Sequence, residues 1–297
     1  MDPFLAIKPP VEPLSLSVLE KKNVRASVLR LDLLHPLVSG NKWFKLRYYL
    51  TDALAQHKKR VITFGGAWSN HLLATAAACQ ELGLLSAACI RGERPAKLSA
   101  TLTQAQSLGM ELFFLTREQY RLKMIPDSLT TQDDYLIQEG GTGALGVKGA
   151  ATILDTVDRE QYSHILCAAG TGTTLAGLIN AAPPTCQVIG IPVLSDTSDI
   201  DATLREQLQD RSARWQLQTG YEWGGYAKHP AALLHFMNEL FAQSNIPTDI
   251  VYTGKLFYAC LALVEKDHFK EGSRLLLVHS GGLQGNRSLS PDVLCFT

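Results

Sequence analysis

Short apolar runs of five to eight residues recur along this chain, each followed by a turn and then a stretch with helical spacing. A strand that is apolar on both sides must be covered on both faces, and an alternating strand–helix order is how a chain achieves that. The pattern therefore predicts an α/β fold of mainly parallel open sheets covered by helices. The spacing places strands at 60–64, 86–90, 111–116, 163–168, 186–193 and 274–278. Helices are expected at 70–82, 99–108, 147–157, 174–181, 230–244 and 255–264. The turn formers packed into Glu139-Gly140-Gly141-Thr142-Gly143-Ala144-Leu145-Gly146 mark a break. Two lobes follow: a smaller one from 51–145, and a larger one assembled from 1–50 and 146–297. A cleft between them, at the C-terminal ends of strands, is the natural ligand site.

Charge and cysteine usage narrow the function. Twenty-eight basic residues balance twenty-eight acidic ones, so no net field draws the chain to nucleic acid or to an anionic membrane. The apolar runs fall far short of the roughly 20 residues that span a bilayer. Residues 1–11 lack the basic start and apolar core of a secretion signal. The six cysteines stand apart and form no C-x-x-C pair, which predicts dispersed buried thiols, no metal site and a reducing, cytoplasmic setting.

Three segments can carry chemistry. In Ser39-Gly40-Asn41-Lys42-Trp43-Phe44-Lys45-Leu46, two lysines stand one helical turn apart. Such a pair also suits a solvated helix face. If the pair is functional, Lys42 attacks an aldehyde, which needs an amine kept partly neutral, while Lys45 holds a phosphate as a fixed charge. Phe64-Gly65-Gly66-Ala67-Trp68-Ser69-Asn70-His71 runs from a strand through glycines into a helix. Ser69 can cap that helix, and free amides at a helix start can also take a carboxylate. Ala168-Ala169-Gly170-Thr171-Gly172-Thr173-Thr174 offers converging N–H and O–H donors suited to a phosphate, or simply a tight turn. It is not a P-loop, and Leu175 stands where a dinucleotide fingerprint has its third glycine.

Taken together and in order, these segments resemble the 1-aminocyclopropane-1-carboxylate (ACC) deaminase and D-cysteine desulfhydrase family of fold-type II pyridoxal-5′-phosphate (PLP) enzymes. The likeness rests on GNKxxKL at 40–46, GGxxSN at 65–70, the loop at 170–174, Gly225-Tyr226, Val251-Tyr252-Thr253-Gly254-Lys255 and His279-Ser280-Gly281-Gly282. It implies a two-lobed, PLP-containing enzyme acting on a small amino acid, working as a homodimer. Residue by residue, it implies that Lys42 carries PLP as a Schiff base. Lys45, Gly170, Thr171, Gly172, Thr173 and Thr174 then hold the phosphate, and Asn70 binds the 3′-oxygen. Ser69 matches the catalytic serine beside the substrate. Ser69, Asn70 and His71 would line the substrate, with Tyr226 and Tyr252 in contact with it and handling protons.

Two departures separate the family's activities. The family's ACC deaminases have glutamate at the position of Thr253 and leucine at the position of Ser280. Both replacements resemble the D-cysteine desulfhydrase branch and put hydroxyls at the ring of PLP. A hydroxyl stabilises a protonated pyridine less well than a carboxylate does, which suits elimination of a good leaving group. The expected reaction is loss of sulfide from D-cysteine to give pyruvate and ammonia, with Lys42 or Ser69 taking the Cα proton. The alternatives are ACC ring opening to 2-oxobutanoate, β-elimination from D- or L-serine derivatives, and a non-catalytic PLP sensor. His71 stands where the family often has glutamine, and reads either as a ligand contact or as a residue on the helix surface.

Overall fold

A computed structural model describes residues 8–210 and 213–296 of the chain. Most of the N-terminal stretch read above for a secretion signal thus lies outside the described residues. In order, the first elements are β1 (Val11–Leu14), α1 (Ser17–Lys21), β2 (Arg25–Arg30), α2 (Asn41–Ala55), β3 (Arg60–Gly65), α3 (Asn70–Glu81) and β4 (Leu85–Arg91). Next come α4 (Ala100–Ser107), β5 (Met110–Leu115), α5 (Arg117–Arg121), β6 (Asp134–Leu136), α6 (Ala144–Ala151), β7 (His164–Ala169) and α7 (Thr173–Ala181). The last are β8 (Gln187–Pro192), α8 (Ser198–Gln207), β9 (Trp215–Leu217), α9 (Ala231–Ser244), α10 (Thr253–Glu265) and β10 (Arg274–His279).

The strands form two sheets. One has the order β1-β2-β10-β7-β8-β9, the other β5-β4-β3-β6. Every pairing is parallel except that of β1 with β2 at one edge. In β7, β8 and β10 every residue after the first is buried, as strands covered by helices on both faces require. The α/β class with helix-covered, mainly parallel sheets is therefore the fold of this chain.

The six predicted strands lie where their apolar runs stand. The strands not foreseen are those whose sequence lacks such a run. β2 begins and ends in arginine, and β6 and β9 are three residues each. Helix α8 was likewise not foreseen; it is strongly polar, with only Ile200, Thr203 and Leu204 buried.

The helix expected at 147–157 differs in extent. It begins at Ala144 and gives way at Thr152 to a 3-10 turn, where the Thr152 and Thr156 hydroxyls donate to the carbonyls of Gly149 and Ile153. Its glycines hide the start from a periodicity argument, and packing explains them. A Cβ on Gly149 would lie 2.1 Å from the Phe44 carbonyl oxygen on α2, and one on Gly177 2.6 Å from the Ala150 Cβ. Helices α2, α6 and α7 can approach this closely only because these side chains are missing.

Five cysteines are buried, Cys295 is exposed, and all six are free thiols. Among the described residues, no helix is long and apolar enough to cross a membrane.

Candidate active site

The ends of β3, β7 and β10 and the starts of α2, α3, α7 and α10 meet at one place, and the motifs singled out above sit there. At the start of α2, Gly40 has φ +69°, and a Cβ there would lie 1.9 Å from the Ser280 carbonyl oxygen. Only glycine allows that approach, which lets the Asn41 amide donate to the same carbonyl at 3.1 Å. The Asn41 side chain then links two motifs. Its Oδ1 accepts from Lys42 Nζ at 2.9 Å, and its Nδ2 donates to Thr174 Oγ1 at 2.9 Å. Behind Ser280, His279 is fully buried and tied at both ring nitrogens, to Asp32 at 3.1 Å and to the Pro247 carbonyl at 2.7 Å. That anchorage fixes the end of β10.

Ser69 stands at the N-cap of α3, but its side chain makes no capping hydrogen bond. The first amides of α3 and the Ser69 hydroxyl are therefore available to a ligand, and simple capping does not account for this serine. His71 is only 2% exposed, so it is not a residue of the helix surface. Thr63 Oγ1 donates to the Ile137 carbonyl, so His71 Nε2 must carry the proton in its 2.8 Å bond to Thr63. Its Nδ1 is left as a buried lone pair without a partner. Burial holds the imidazole well below its usual pKa, reinforced by the ammonium groups of Lys42 and Lys45. The ring is neutral at physiological pH.

Gly172 caps α7 with φ +81°, and Thr173 and Thr174 occupy the first turn of that helix. The Thr171 and Thr173 hydroxyls lie 3.0 Å apart, while Thr203 donates to the Thr171 carbonyl at 2.7 Å and steadies the loop. Tyr252 lies over Gly170, whose absent Cβ would come 3.3 Å from its ring. Tyr226 meets Tyr252 edge to face at 6.4 Å. Burial raises the Tyr252 pKa well above its usual value, with Tyr226 and Asp249 acting in the same direction. Tyr226 is 47% exposed and its shift, also upward from desolvation, counts for less.

Asp249, which the sequence reading did not single out, is fully buried at the head of α10. Its Oδ2 accepts from the amides of Val251 and Tyr252 at 2.9 and 3.0 Å, and its Oδ1 from the Thr253 amide and hydroxyl, both at 2.7 Å. The Thr253 hydroxyl accepts in turn from the Asp249 amide at 2.7 Å. Thr253, expected at the ring of the cofactor, is thus fully buried and closed on Asp249. Ser280, half-buried, directly follows β10, and its backbone carbonyl receives the Asn41 amide. A Cβ on Gly282 would lie 2.9 Å from Asn70 Nδ2 and 3.1 Å from Asp249 Cγ, so two motifs and Asp249 close around that glycine. Asp249 stands three residues before the N-cap of α10, outside the usual start signals, so nothing in the sequence draws attention to it.

The electrostatics call for an anion. Burial pushes Lys42 down to about 8, against the pull of Asp249. Lys45, 3% exposed, is held well below its usual range by burial and by Lys42. Two desolvated lysine amines, two helix starts with free amides and a threonine loop supply donors, and a buried orphan oxygen on Asn70 supplies an acceptor, a set of the right kind for a phosphorylated aromatic aldehyde with a ring hydroxyl. The residues present fit PLP.

Comparison with known proteins agrees. The family described as pyridoxal-phosphate dependent enzyme matches residues 9–281. A Thermotoga maritima protein provisionally named ACC deaminase is 29% identical, over 95% of this chain and 96% of its own. The bifunctional D-cysteine desulfhydrase/ACC deaminase of Arabidopsis thaliana mitochondria is 26% identical, over 84% of this chain and 70% of its own. The crystal structure of an ACC deaminase homologue superposes with a TM-score of 0.82 at 26% identity, covering 95% of this chain and 92% of that one. The chain therefore belongs to the pyridoxal-phosphate dependent enzymes, in the fold-type II group of the ACC deaminases and D-cysteine desulfhydrases.

Proposed function

We propose that this deaminase/lyase acts on small amino acids with a β-leaving group, D-cysteine foremost, and converts D-cysteine and water to pyruvate, ammonia and hydrogen sulfide. The observation that carries this reading is the wall made by α10 and the end of β10. There the buried carboxylate of Asp249 is spent on four donors, and Ser280 would offer the ring a hydroxyl and no charge. When bound, PLP supplies an electron-withdrawing ring conjugated to the substrate nitrogen, which acidifies the Cα proton. A wall without a free anion gives a weaker electron sink, which favours a reaction whose leaving group departs as soon as that proton is lost.

The residues divide the work. Lys42 would hold the cofactor's aldehyde carbon. Lys45 and the run Gly170, Thr171, Gly172, Thr173 and Thr174 would hold its phosphate, Asn70 its 3′-oxygen and Ser280 its ring nitrogen. Thr253 acts on this wall through Asp249. The first amides of α3, with Ser69 and Asn70, would receive the substrate carboxylate, and the free lone pair of His71 would accept a hydrogen bond within the same pocket. Lys42 Nζ or Ser69 Oγ takes the Cα proton. Tyr226 and Tyr252, which meet edge to face, would protonate the leaving sulfur, and burial keeps the Tyr252 phenol in its protonated form. In this reading residues 1–50 and 146–297 form the PLP-binding lobe and 51–145 the smaller one, in a homodimer that light scattering would reveal.

ACC ring opening is the second reading, favoured by the names of the relatives above. A paired assay on PLP-loaded protein separates the two: sulfide from D-cysteine against 2-oxobutanoate from ACC. Sulfide release far above 2-oxobutanoate release is expected, and the reverse ratio overturns the proposal. Lys42→Ala should abolish the borohydride-trapped adduct. Bound PLP with neither activity would point to another amino acid or to a sensor.

A further inference from the structure

The turn that carries Tyr226 has an unusual backbone. Trp223, Gly224, Gly225 and Ala227 all have positive φ, at 53°, 86°, 108° and 55°. Two of these residues have side chains that disfavour that region, so the conformation persists only where its surroundings impose it. One side chain does so from below. Lys255, fully buried on α10, sends its Nζ to the carbonyls of Gly225 at 2.6 Å, Glu222 at 2.8 Å and Val193 at 3.5 Å. The first two are also the acceptors that close the turn, from the Lys228 and Gly225 amides. Lys255 follows Tyr252 by three residues, so the same stretch of α10 that presents Tyr252 grips the turn that presents Tyr226.

We infer that Lys255 is a positioning residue that sets Tyr226 against Tyr252 by holding the 222–226 turn through its carbonyls. Its ammonium faces carbonyls and not the ligand site, so it touches neither substrate nor cofactor. An ordinary core position would be filled by an apolar side chain. A buried cation with three carbonyl acceptors is useful where a strained backbone must be held in one shape. The inference rests on the reading that Tyr226 serves the reaction.

The test combines activity with local exchange on the PLP-loaded protein. In Lys255→Met, hydrogen exchange by mass spectrometry should speed up at least tenfold in residues 222–227, while β7 and β10 keep their protection. Cofactor absorbance should be retained. The kcat should fall about 10²-fold, the scale of a displaced acid–base group, with KM changing much less. Tyr226→Phe should lose a similar factor, and the double variant no more than about twofold beyond the weaker single variant, as expected when both act through one group. Lys255→Arg, which keeps donors for the carbonyls, should recover part of the loss. If Lys255→Met does not fold, Lys255→Gln takes its place, with the same expectations. Unchanged exchange in 222–227, or a double variant whose loss is the product of the two singles, overturns the inference. Should Tyr226→Phe alone leave kcat intact, the reading of Tyr226 fails, and the exchange measurement still decides whether Lys255 holds the turn.

Discussion

Replacing Asp249 with asparagine changes one oxygen to a nitrogen and leaves the volume almost the same. The four donors around the carboxylate make the cost calculable. An amide oxygen can keep two of them, for instance the Thr253 amide and hydroxyl on the Oδ1 side. The new NH2 group then faces the amides of Val251 and Tyr252, donor against donor. Two hydrogen bonds to a charged group are lost, each contributing about 1.5–3 kcal/mol, for a total of about 3–6 kcal/mol. Relief of one buried charge offsets part of this. The apoprotein should melt roughly 10 °C lower by circular dichroism, at 2–4 °C per kcal/mol for a chain of this size. A second effect follows from the same charge. Asp249 is the group that holds the Lys42 pKa up, so its loss should move Lys42 further down from about 8. Mass-spectrometric quantitation of borohydride-trapped pyridoxal at Lys42, measured against pH, reads that midpoint. A drop in Tm below 2 °C would show that the four bonds contribute little. An upward move of the midpoint would refute the electrostatic argument.

Other outcomes follow from the same structure. In the wild-type apoprotein, the same labelling of Lys42 should have a midpoint near 8, where an ordinary lysine titrates near 10.5. At pH 7 this amounts to roughly 300-fold more free amine. Because the folded Lys42 sheds its proton before the unfolded one does, apoprotein stability should rise with pH between about 8 and 10.5, and denaturant midpoints across that window check the sign. Gly177→Ala drives a Cβ to 2.6 Å from Ala150 Cβ and 2.7 Å from the Val147 carbonyl, and should cost about 1–3 kcal/mol in urea unfolding.

What the sequence reveals and what it hides have separate physical causes. The buried strands are legible because cover on both faces demands an uninterrupted apolar run, as in β7 and β10. Lys42, Asn70 and the 170–174 loop can be singled out because each stands at a helix start beside glycine, and the fold brings those helix starts together. Asp249 cannot be, because a lone acid before a helix looks the same whether its carboxylate is solvated or buried under four donors. His71 stays ambiguous for a similar reason. Whether it faces water or Thr63 depends on Ile137 and Gly141, far along the chain, whose position only the folded sheet supplies. Thr253 shows the limit of motif transfer. The residue type is readable, but its hydroxyl is claimed by a neighbour that the motif does not include.

The place of β10 governs how this protein must be made. It is the last strand among the described residues, yet it lies between β2 and β7. Until residues 274–279 leave the ribosome, β2 and β7 have no shared neighbour, and the six-stranded sheet exists as two unjoined parts with exposed edges. The strands of the other sheet all lie between residues 60 and 136 and can pair much earlier during synthesis. A nascent chain would therefore hold a finished half bearing Ser69 and Asn70 beside an unfinished one. Lys42 waits on that last strand, because Ser280, whose carbonyl docks the start of its helix, arrives only with it.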